Sequence, residues 1–236
     1  MKPLKIVHLY AQEMNIYGDN GNVLVLKKRL QWRGIDVKIE QVGVGDKIPT
    51  DTAIILGGGG QDAGQSIIAS DLQQKKQTLL QMHKDGVVML MICGMYQLFG
   101  QYFKTQKDQK IGGIGVLDAY TEAGPKRIIG NLTVSSKWGD LIGYENHSGQ
   151  TFLNNDSALG TTKHGYGNNT QDGTEGANSI NVFGSYLHGP LLAKSPIFAD
   201  ELLNRALVLN GVTNKLIDIN DVIAEQARTV AKKRPR

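Results

Sequence analysis

One stretch of the chain, residues 87–100, constrains the fold more than any other. It opens with an apolar run, Val87–Ile92, reaches the only cysteine of the sequence at Cys93, and continues after Gly94 as an apolar, helix-like run. A short apolar run of this kind is typical of a buried strand. A helix that follows such a strand at once directs its first free N–H groups at the side chain between them. The stretch therefore predicts a nucleophilic cysteine on a strand-to-helix turn.

The first half of the chain alternates between predicted strands and helices. Strands are predicted at residues 5–10, 35–39, 52–56 and 87–92. Helices are predicted from Asn22, as the capping residue, to Gly34 and from Asp62 to about Lys84. This alternation predicts an α/β fold in three layers, a mostly parallel sheet with helices on both of its faces.

After Gly100 the pattern changes to strands separated by turns that are rich in glycine and asparagine. Strands are predicted at residues 111–118, 127–134, 138–144 and 182–186, and helices at 195–210 and 221–232. Some antiparallel strands are therefore expected in this half. No segment has the length or the bias of a linker, so we predict one domain over residues 1–212. A C-terminal helix and basic tail, residues 213–236, are expected to pack on it.

Composition removes several classes of protein. The single cysteine excludes an internal disulfide and a thiolate metal cluster, and the five histidines lack the spacing of metal ligands. We find no signal-peptide pattern and no apolar run long enough for a membrane span, which predicts a soluble, cytoplasmic protein. A net charge of +4 with only 6% aromatic residues disfavours nucleic-acid binding. The basic tail, Lys232–Arg236, is interpreted as a frayed terminus.

Four consecutive glycines, Gly57–Gly60, directly follow the predicted strand at 52–56. Glycine permits positive φ angles and a close approach of the backbone to a ligand. A phosphate loop is one interpretation, although no Lys-Ser or Lys-Thr pair follows the glycines. The backbone N–H groups could instead stabilise an oxyanion. A tight strand-to-helix turn without a chemical role is the third interpretation.

A cysteine nucleophile needs a base, normally a histidine that is distant in sequence. His188 ends the predicted strand at 182–186, so a parallel sheet would bring it to the same edge as Cys93. Three other histidines are expected elsewhere: His8 buried in a strand, His83 solvated at a helix end, and His164 in a flexible loop. His147 remains the one rival.

Three motifs in order resemble the class I glutamine amidotransferases, and more narrowly their cobyric acid synthase-like branch. Residues 92–97 read Ile-Cys-Gly-Met-Tyr-Gln, similar to the nucleophile elbow of that branch. Residues 143–149 resemble its Gly-x-Glu-x-His-x-Gly segment, and residues 184–189 its catalytic-histidine strand. Together with residues 15–22 and 125–131, the set is similar to members that serve as the glutaminase subunit of lipid II isoglutaminyl synthases. The resemblance covers most of residues 4–210 and implies a flavodoxin-like class I fold.

The resemblance also implies roles for individual residues. The thiolate of Cys93 would attack the side-chain carboxamide of glutamine, with His188 as the proton acceptor and donor. Backbone N–H groups of the Gly58–Gly59 loop and of Gly94 would hold the oxyanion. Gln97 matches a family position that helps to hold the substrate.

A further substrate contact is predicted at Arg127. Its guanidinium could bind the glutamine α-carboxylate through two hydrogen bonds, and a surface salt bridge is the alternative.

The sequence departs from the family pattern at two places. Met91 and Met95 stand where the elbow usually has glycines, which makes a tight turn harder to form. Pro190 occupies the position where other class I enzymes carry the acid that follows the histidine. A backbone carbonyl, an acid elsewhere in the chain, or an acid of a partner subunit could orient His188. We favour the partner, which predicts weak glutaminase activity for the isolated chain.

The resemblance implies no cofactor in this chain. ATP and Mg are expected in a Mur ligase-like partner subunit, which would form a heterodimer with the chain and use its ammonia to amidate the D-glutamate of lipid II. No stable membrane insertion is expected, although the complex would meet a lipid-linked substrate. Three alternatives stay open: a glutaminase for another acceptor in the same branch, a cysteine hydrolase of another amide or ester, and a non-catalytic scaffold protein.

Overall fold

The structure is a computed structural model that describes residues 2–60, 62–212 and 216–234. The strands are β1 (Leu4–Leu9), β2 (Val37–Val42), β3 (Ile54–Gly57), β4 (Val88–Ile92), β5 (Tyr102–Lys104), β6 (Lys110–Gly112), β7 (Ala119–Ser136), β8 (Gly139–Leu153), β9 (Gly160–His164), β10 (Thr174–Glu175), β11 (Ala177–Ser179) and β12 (Val182–Ser185). The helices are α1 (Asn20–Gln31), α2 (Asp62–Lys84), α3 (Gly94–Phe99), α4 (Pro196–Leu209) and α5 (Val222–Lys232), with a 3₁₀ turn at Leu191–Lys194.

The first sheet has the strand order β11-β12-β4-β3-β1-β2. All neighbouring strands in it are parallel except β11, which is antiparallel to β12. Parallel strands covered on both faces read as continuous apolar runs, and every residue of β3 and β4 is buried. The mixed α/β fold with a mostly parallel sheet is confirmed. The carboxyl ends of β1, β3, β4 and β12 meet at one edge of this sheet, where ligands bind in open α/β sheets.

The second sheet comes from the other half of the chain, with the order β10-β9-β7-β5-β6 and β8 paired to β7. Its main feature is the long antiparallel hairpin of β7 and β8. The register of this hairpin shifts between Ala123 and Ile128, so residues 124–127 bulge out of the ladder. The expected antiparallel strands are therefore present, and all but the β11–β12 pair lie in this second sheet.

Several predicted boundaries were wrong for identifiable reasons. The strand predicted at 111–118 ends at Gly112, because Ile114 and Leu117 then donate backbone hydrogen bonds to the carbonyls of Leu98 and Phe99 instead of pairing with a strand. The helix expected to be capped by Asn22 begins at Asn20. The Asn22 side chain instead accepts a hydrogen bond from the backbone N–H of Leu192 at 2.9 Å.

The burial or position of a few single side chains also differs from the prediction. Ile197 is 56% exposed, although Phe198, Leu202 and Leu203 of the same helix are fully buried as predicted. His164 ends β9 and does not lie in a loop, and His83 is partly buried. The end of the basic tail, Pro235 and Arg236, lies outside the described residues.

The last helix, α5, packs on the rest of the chain through polar contacts. Arg228 donates to the carbonyl of Asp140 at 2.7 Å, and Lys232 pairs with the Asp140 carboxylate at 2.9 Å. Just before the helix, Asp221 accepts a hydrogen bond from Arg29 of α1 at 2.6 Å. Among the helices described, none combines the length and the apolar character that a membrane span requires.

Candidate active site

Cys93 occupies the junction between β4 and α3 with strained backbone angles, φ 51° and ψ −107°. A side chain at positive φ costs roughly 1–2 kcal/mol, so neighbouring contacts must hold this turn. The Cys93 N–H donates to the carbonyl of Ser185 on β12 at 2.8 Å, and the Cys93 carbonyl accepts from Gln97 at 3.0 Å. Cys93 itself is 5% exposed. The predicted strand-to-helix turn is therefore formed, with the N–H of Gly94 directly after the nucleophile, as in an oxyanion hole.

The two methionines that replace the usual glycines of this turn are accommodated by a glycine on the neighbouring strand. Met91 and Met95 are fully buried. A Cβ placed on Gly57 would lie 2.8 Å from the Met91 sulfur and 3.0 Å from Met95 Cγ. Because Gly57 has no side chain, both methionines fit against β3. The packing of the adjacent strand thus allows the tight turn to form despite the two methionines.

His188 lies three residues beyond the end of β12, beside β4, and is fully buried. Its Nδ1 donates to the Asp19 carboxylate, at 3.1 Å from Oδ1 and 3.0 Å from Oδ2. Asp19 is 3% exposed and also accepts a hydrogen bond from the N–H of Gly59 at 2.7 Å. The acid that orients His188 therefore comes from this chain. An acid elsewhere in the chain is therefore the alternative that these contacts bear out, and the favoured hypothesis, an acid of a partner subunit, stays a prediction.

The surroundings of His188 favour its protonated form. Burial lowers the pKa of the ring, but the Cys93 thiolate and the Asp19 carboxylate outweigh this and raise the pKa from 6.5 to about 10. At neutral pH His188 is therefore an imidazolium beside the sulfur of Cys93. That pair combines an attacking nucleophile with a proton donor for a leaving amine.

The row of glycines serves close packing around the loop that carries Asp19. A Cβ would lie 2.4 Å from the Met14 carbonyl at Gly58, 2.6 Å from His188 Cε1 at Gly59, and 2.2 Å from the Met14 sulfur at Gly60. The interpretation as a tight strand-to-helix turn accounts for these contacts. Gly59 does not fit its predicted role as an oxyanion donor, because its N–H is engaged by Asp19.

His147, the rival base, is held in a different way. Its Nδ1 lies 2.7 Å from the carbonyl of Gly149, and its ring stacks on Tyr186 at a centroid distance of 3.7 Å. His147 lines the same cavity as Cys93. It has, however, no carboxylate at hydrogen-bonding distance among the described residues, since Glu145 is 3.9 Å away. His188 with Asp19 is the better base.

A cavity of about 500 Å³ opens beside Cys93 and is large enough for a small molecule. Its lining consists of Ile16, Gly60, Gln65, Cys93, Gln97, Phe103, Gln106, Arg127, Asn146, His147 and Ser148. Gln97 is fixed at both ends of its amide: Oε1 accepts from Gln65 at 2.7 Å, and Nε2 donates to the Tyr186 hydroxyl at 3.1 Å. The predicted substrate residue Gln97 therefore faces the cavity in a defined orientation, and Gln65 holds it there.

Arg127 lies in the bulge of the β7–β8 hairpin. It belongs to the second sheet, but it lines the same cavity as Cys93. It is exposed. Its Nε donates to Asn146 Oδ1 at 2.5 Å, and no carboxylate pairs with it among the described residues. The alternative of a surface salt bridge is therefore not what the structure shows. A guanidinium in this position can bind a carboxylate of a small molecule.

Sequence reasoning missed Asp19, Gln65, Tyr17 and Asn146. Asp19 stands directly before α1, where an acid normally caps the helix. Its carboxylate is directed to His188 instead. The detectable signal was topological: the loop after β1 must reach the same sheet edge as Cys93, and Asp19 is the one buried acid in it. That single side chain could have been proposed from the strand order.

The arrangement has the parts of a cysteine-dependent acyl-transfer site. Cys93 supplies the nucleophile, His188 moves the proton, Asp19 orients His188, and Gly94 offers a backbone N–H to a developing oxyanion. The cavity beyond Cys93 carries a cation, Arg127, and the amides of Gln65 and Gln97. Such a site suits a small amide substrate with a carboxylate at its other end.

Comparison with known proteins agrees with this geometry. The model of the CobB/CobQ-like glutamine amidotransferase domain matches residues 5–196. The chain is 34% identical over 232 residues to the lipid II isoglutaminyl synthase (glutamine-hydrolyzing) subunit GatD of Staphylococcus aureus strain N315, covering 98% of this chain and 95% of that protein. It is 41% identical over 209 residues to the GatD subunit of Streptococcus pneumoniae strain ATCC BAA-255 / R6, covering 86% of this chain and 80% of that protein.

Solved structures show the same fold at low sequence identity. PurLQS from Thermotoga maritima aligns with a TM-score of 0.57 and 15% identity, over 89% of this chain and 97% of that chain. A glutamine amidotransferase from the same organism aligns with a TM-score of 0.56 and 15% identity, over 98% of this chain and 94% of that chain.

Proposed function

The chain belongs to the CobB/CobQ-like glutamine amidotransferase family, and we propose that it is the glutaminase subunit of a lipid II isoglutaminyl synthase. Two relatives that bear this name match it over most of their own lengths, 95% and 80%. Cobyric acid synthase of Limosilactobacillus reuteri is 29% identical, but this chain spans only 36% of it. The higher identity to the two GatD relatives, and the larger share of their lengths that is matched, favour their function over that of cobyric acid synthase.

The single observation that carries the chemistry is the buried group of Cys93, His188 and Asp19 at the edge of the parallel sheet. The Cys93 thiolate attacks the side-chain carboxamide carbon of glutamine. The carbonyl oxygen becomes an oxyanion, which the N–H of Gly94 stabilises. His188 donates a proton to the leaving nitrogen, and ammonia departs as a glutamyl thioester forms on Cys93.

The second half of the reaction uses the same residues. His188, now neutral, accepts a proton from water as the water attacks the thioester carbon. The carbon–sulfur bond breaks, glutamate leaves, and the thiolate–imidazolium pair is restored. Asp19 holds the ring with Nδ1 protonated through both steps, so Nε2 is the nitrogen that exchanges protons.

The far end of the substrate is assigned to Arg127. Its guanidinium lies in the exposed bulge of the hairpin and binds the α-carboxylate of glutamine through charge-assisted hydrogen bonds. Gln97, held by Gln65 and Tyr186, contributes a polar contact within the cavity. This division places the reacting carboxamide at the sheet edge and the recognised carboxylate at the hairpin.

The ammonia is used by a second subunit. A MurT-like Mur ligase would bind ATP and Mg, activate the D-glutamate carboxylate of lipid II, and form a heterodimer with this chain in the cytoplasm, as part of peptidoglycan biosynthesis and the maintenance of cell shape. The sequence supports this division, because the glycines at 57–60 lack the lysine of a phosphate loop and pack around Asp19.

The test is to purify the chain with its ligase and to measure lipid II amidation with glutamine or with ammonium as the nitrogen source. The Cys93→Ala variant is expected to lose the glutamine-dependent product and to retain the ammonium-dependent one. Loss of both in an intact complex would contradict the division of labour. A wild-type chain that releases no glutamate from glutamine, alone or with the ligase, would contradict the function itself.

A further inference from the structure

Two side chains, Asn146 and Tyr17, join the proposed substrate anchor, Arg127, to the catalytic histidine. Arg127 Nε donates to Asn146 Oδ1 at 2.5 Å, and Asn146 Nδ2 donates to the Tyr17 hydroxyl at 2.7 Å. The Tyr17 ring then meets His188 edge to face, with centroids 5.0 Å apart and planes at 70°. The three residues belong to β7, β8 and the loop before α1, so the contacts connect elements from both sheets.

Tyr17 shares its loop with the acid that orients the same histidine. Asp19 binds His188 Nδ1, and Tyr17, two residues earlier, contacts the ring itself. Between them Gly18 has a φ of 78°, and Tyr17 has a φ of 55°, so two consecutive residues adopt the left-handed conformation. A side chain larger than glycine persists there only when its contacts hold it. The described side-chain contacts of Tyr17 are the hydrogen bond with Asn146 and the edge-to-face ring contacts with His188 and with Tyr144, whose ring centroid is 6.3 Å away.

The Asn146 amide is suited to connect its two partners. Its oxygen accepts from Arg127, and its nitrogen donates to Tyr17, so both ends of the amide are engaged. The Arg127 edge that faces Asn146 is thereby occupied, and the remaining N–H groups of the guanidinium are left for a carboxylate. A substrate that binds Arg127 would fix the guanidinium, and through Asn146 it would fix Tyr17.

We propose that Tyr17 is a positioning residue of the glutaminase reaction, which holds the His188 ring in place and joins it to Arg127 through Asn146. This inference rests on the proposed function, because it uses Arg127 as the anchor of the glutamine carboxylate. Asp19 fixes one edge of the imidazole, and Tyr17 packs against the ring. The hydroxyl matters because it is the group that Asn146 binds.

The test uses two variants of the chain in complex with its ligase. Tyr17→Phe keeps the ring and removes the hydroxyl that Asn146 binds. Tyr17→Leu removes the ring contact as well. With glutamine as substrate, kcat is expected to fall about threefold to tenfold in Tyr17→Phe and further in Tyr17→Leu, while KM changes by less than kcat. Ammonium-dependent amidation should be unchanged in both, which separates a glutaminase defect from a damaged complex.

Two further measurements distinguish positioning from general stability. In Tyr17→Phe the alkaline limb of the pH–rate profile should stay in place, because Asp19 and Cys93, not the tyrosine hydroxyl, raise the pKa of His188. Combining Tyr17→Phe with Asn146→Ala should lower kcat by much less than the product of the single effects, because both act through one contact. Tyr166→Phe, at a tyrosine that is 48% exposed and outside the cavity lining, is the control and should match the wild type.

Wild-type kcat in both Tyr17 variants would overturn the inference, as would a rise in KM with kcat unchanged, which would make Tyr17 a binding residue. Additive effects of Tyr17→Phe and Asn146→Ala would remove the connection to Arg127. These outcomes require a wild-type complex that releases glutamate from glutamine. Absence of that activity would instead contradict the proposed function, so the two failures are distinguishable.

Discussion

The two ends of the candidate site are built in opposite ways. The catalytic group, Asp19, Cys93 and His188, is buried at the edge of a parallel sheet, and each member is fixed by backbone or carboxylate contacts. The recognition end, Arg127 with Asn146, lies on a bulged antiparallel hairpin, and Arg127 is exposed. Chemistry that depends on protonation states needs exclusion of water, whereas a carboxylate must enter from solvent. Changes at the first end should therefore affect kcat and pH dependence, and changes at Arg127 should affect mainly KM. Asn146 also binds Tyr17, so its replacement should lower kcat as well.

The largest effect is expected for Asp19→Asn. The amide keeps the shape but neither stabilises the imidazolium nor enforces the required tautomer, so kcat should fall by about 10²- to 10⁴-fold. Since Asp19 is one cause of the raised His188 pKa, the alkaline limb of glutamate release, expected near pH 10 in the wild type, should move to lower pH. Asp36→Asn, at an exposed acid outside the site, is the matched control.

The Asp19→Asn variant should also change how the unfolding free energy depends on pH. The pKa of His188 is raised above its ordinary value of 6.5, so the stabilisation it provides is complete below about pH 6.5 and is lost as the pH rises through about 10. Urea unfolding of wild type and Asp19→Asn should therefore differ most at or below neutral pH and converge above pH 10. An equal difference at all pH values would show that Asp19 acts by packing alone.

At the recognition end, Arg127→Ala should raise KM for glutamine by roughly 10- to 100-fold, in line with about 1.5–3 kcal/mol for a hydrogen bond to a charged group. The fall in kcat should be much smaller. Arg127→Lys should recover only part of the loss, because an ammonium lacks the planar fork of the guanidinium. A variant with unchanged KM and a large loss of kcat would place Arg127 with the catalytic group and remove the contrast between the two ends.

A smaller effect is expected for Gly57→Ala, which tests how the elbow is supported from β3. The new methyl group would meet Met91 and Met95 at 2.8 and 3.0 Å, and overpacking of this kind costs about 1–3 kcal/mol of unfolding free energy. Because the methionines flank Cys93, kcat should fall together with the unfolding free energy, and KM should stay unchanged. Met91→Ala in the same chain should restore part of both. Gly43→Ala, where a Cβ would make only an ordinary contact of 3.6 Å, is the control.

The catalytic end and the recognition end also differ in how much of each could be predicted from the sequence. The elbow at Cys93 and the strand before His188 could be recognised in the sequence, because buried strands of a parallel sheet have continuous apolar sequences. The carboxyl ends of such strands lie together at one edge of the sheet. Arg127 was predicted as a substrate contact because its segment resembles the family. The spacing of apolar residues gives no indication of such a role. Asp19 was missed as the third residue because the family position for the acid lies close to His188 in sequence, where Pro190 stands. Asp19 is 169 positions away and is brought to His188 only by the strand order.

Other misses have the same origin, in contacts between distant segments. Gly57 compensates for Met91 and Met95 from a neighbouring strand, so the methionines alone suggested a difficulty that the packing removes. Asn22 looked like a helix cap but bonds to Leu192, 170 residues away. Local patterns determined the helices and the buried strands, and failed where a polar side chain had two possible partners.

The smallest effect is expected for Lys126→Ala, which separates a specific hydrogen-bonding site from a general positive field. Lys126 is the neighbour of Arg127 in the bulge and is exposed. At physiological ionic strength, an exposed charge that makes no contact with the substrate is largely screened, so KM for glutamine should rise by no more than about twofold. Raising the salt concentration should abolish even that difference, while the defect of Arg127→Ala should persist. If Lys126→Ala raised KM as much as Arg127→Ala did, charge density along the hairpin would govern recognition. The contrast between a fixed catalytic group and one specific recognition residue would then have to be given up.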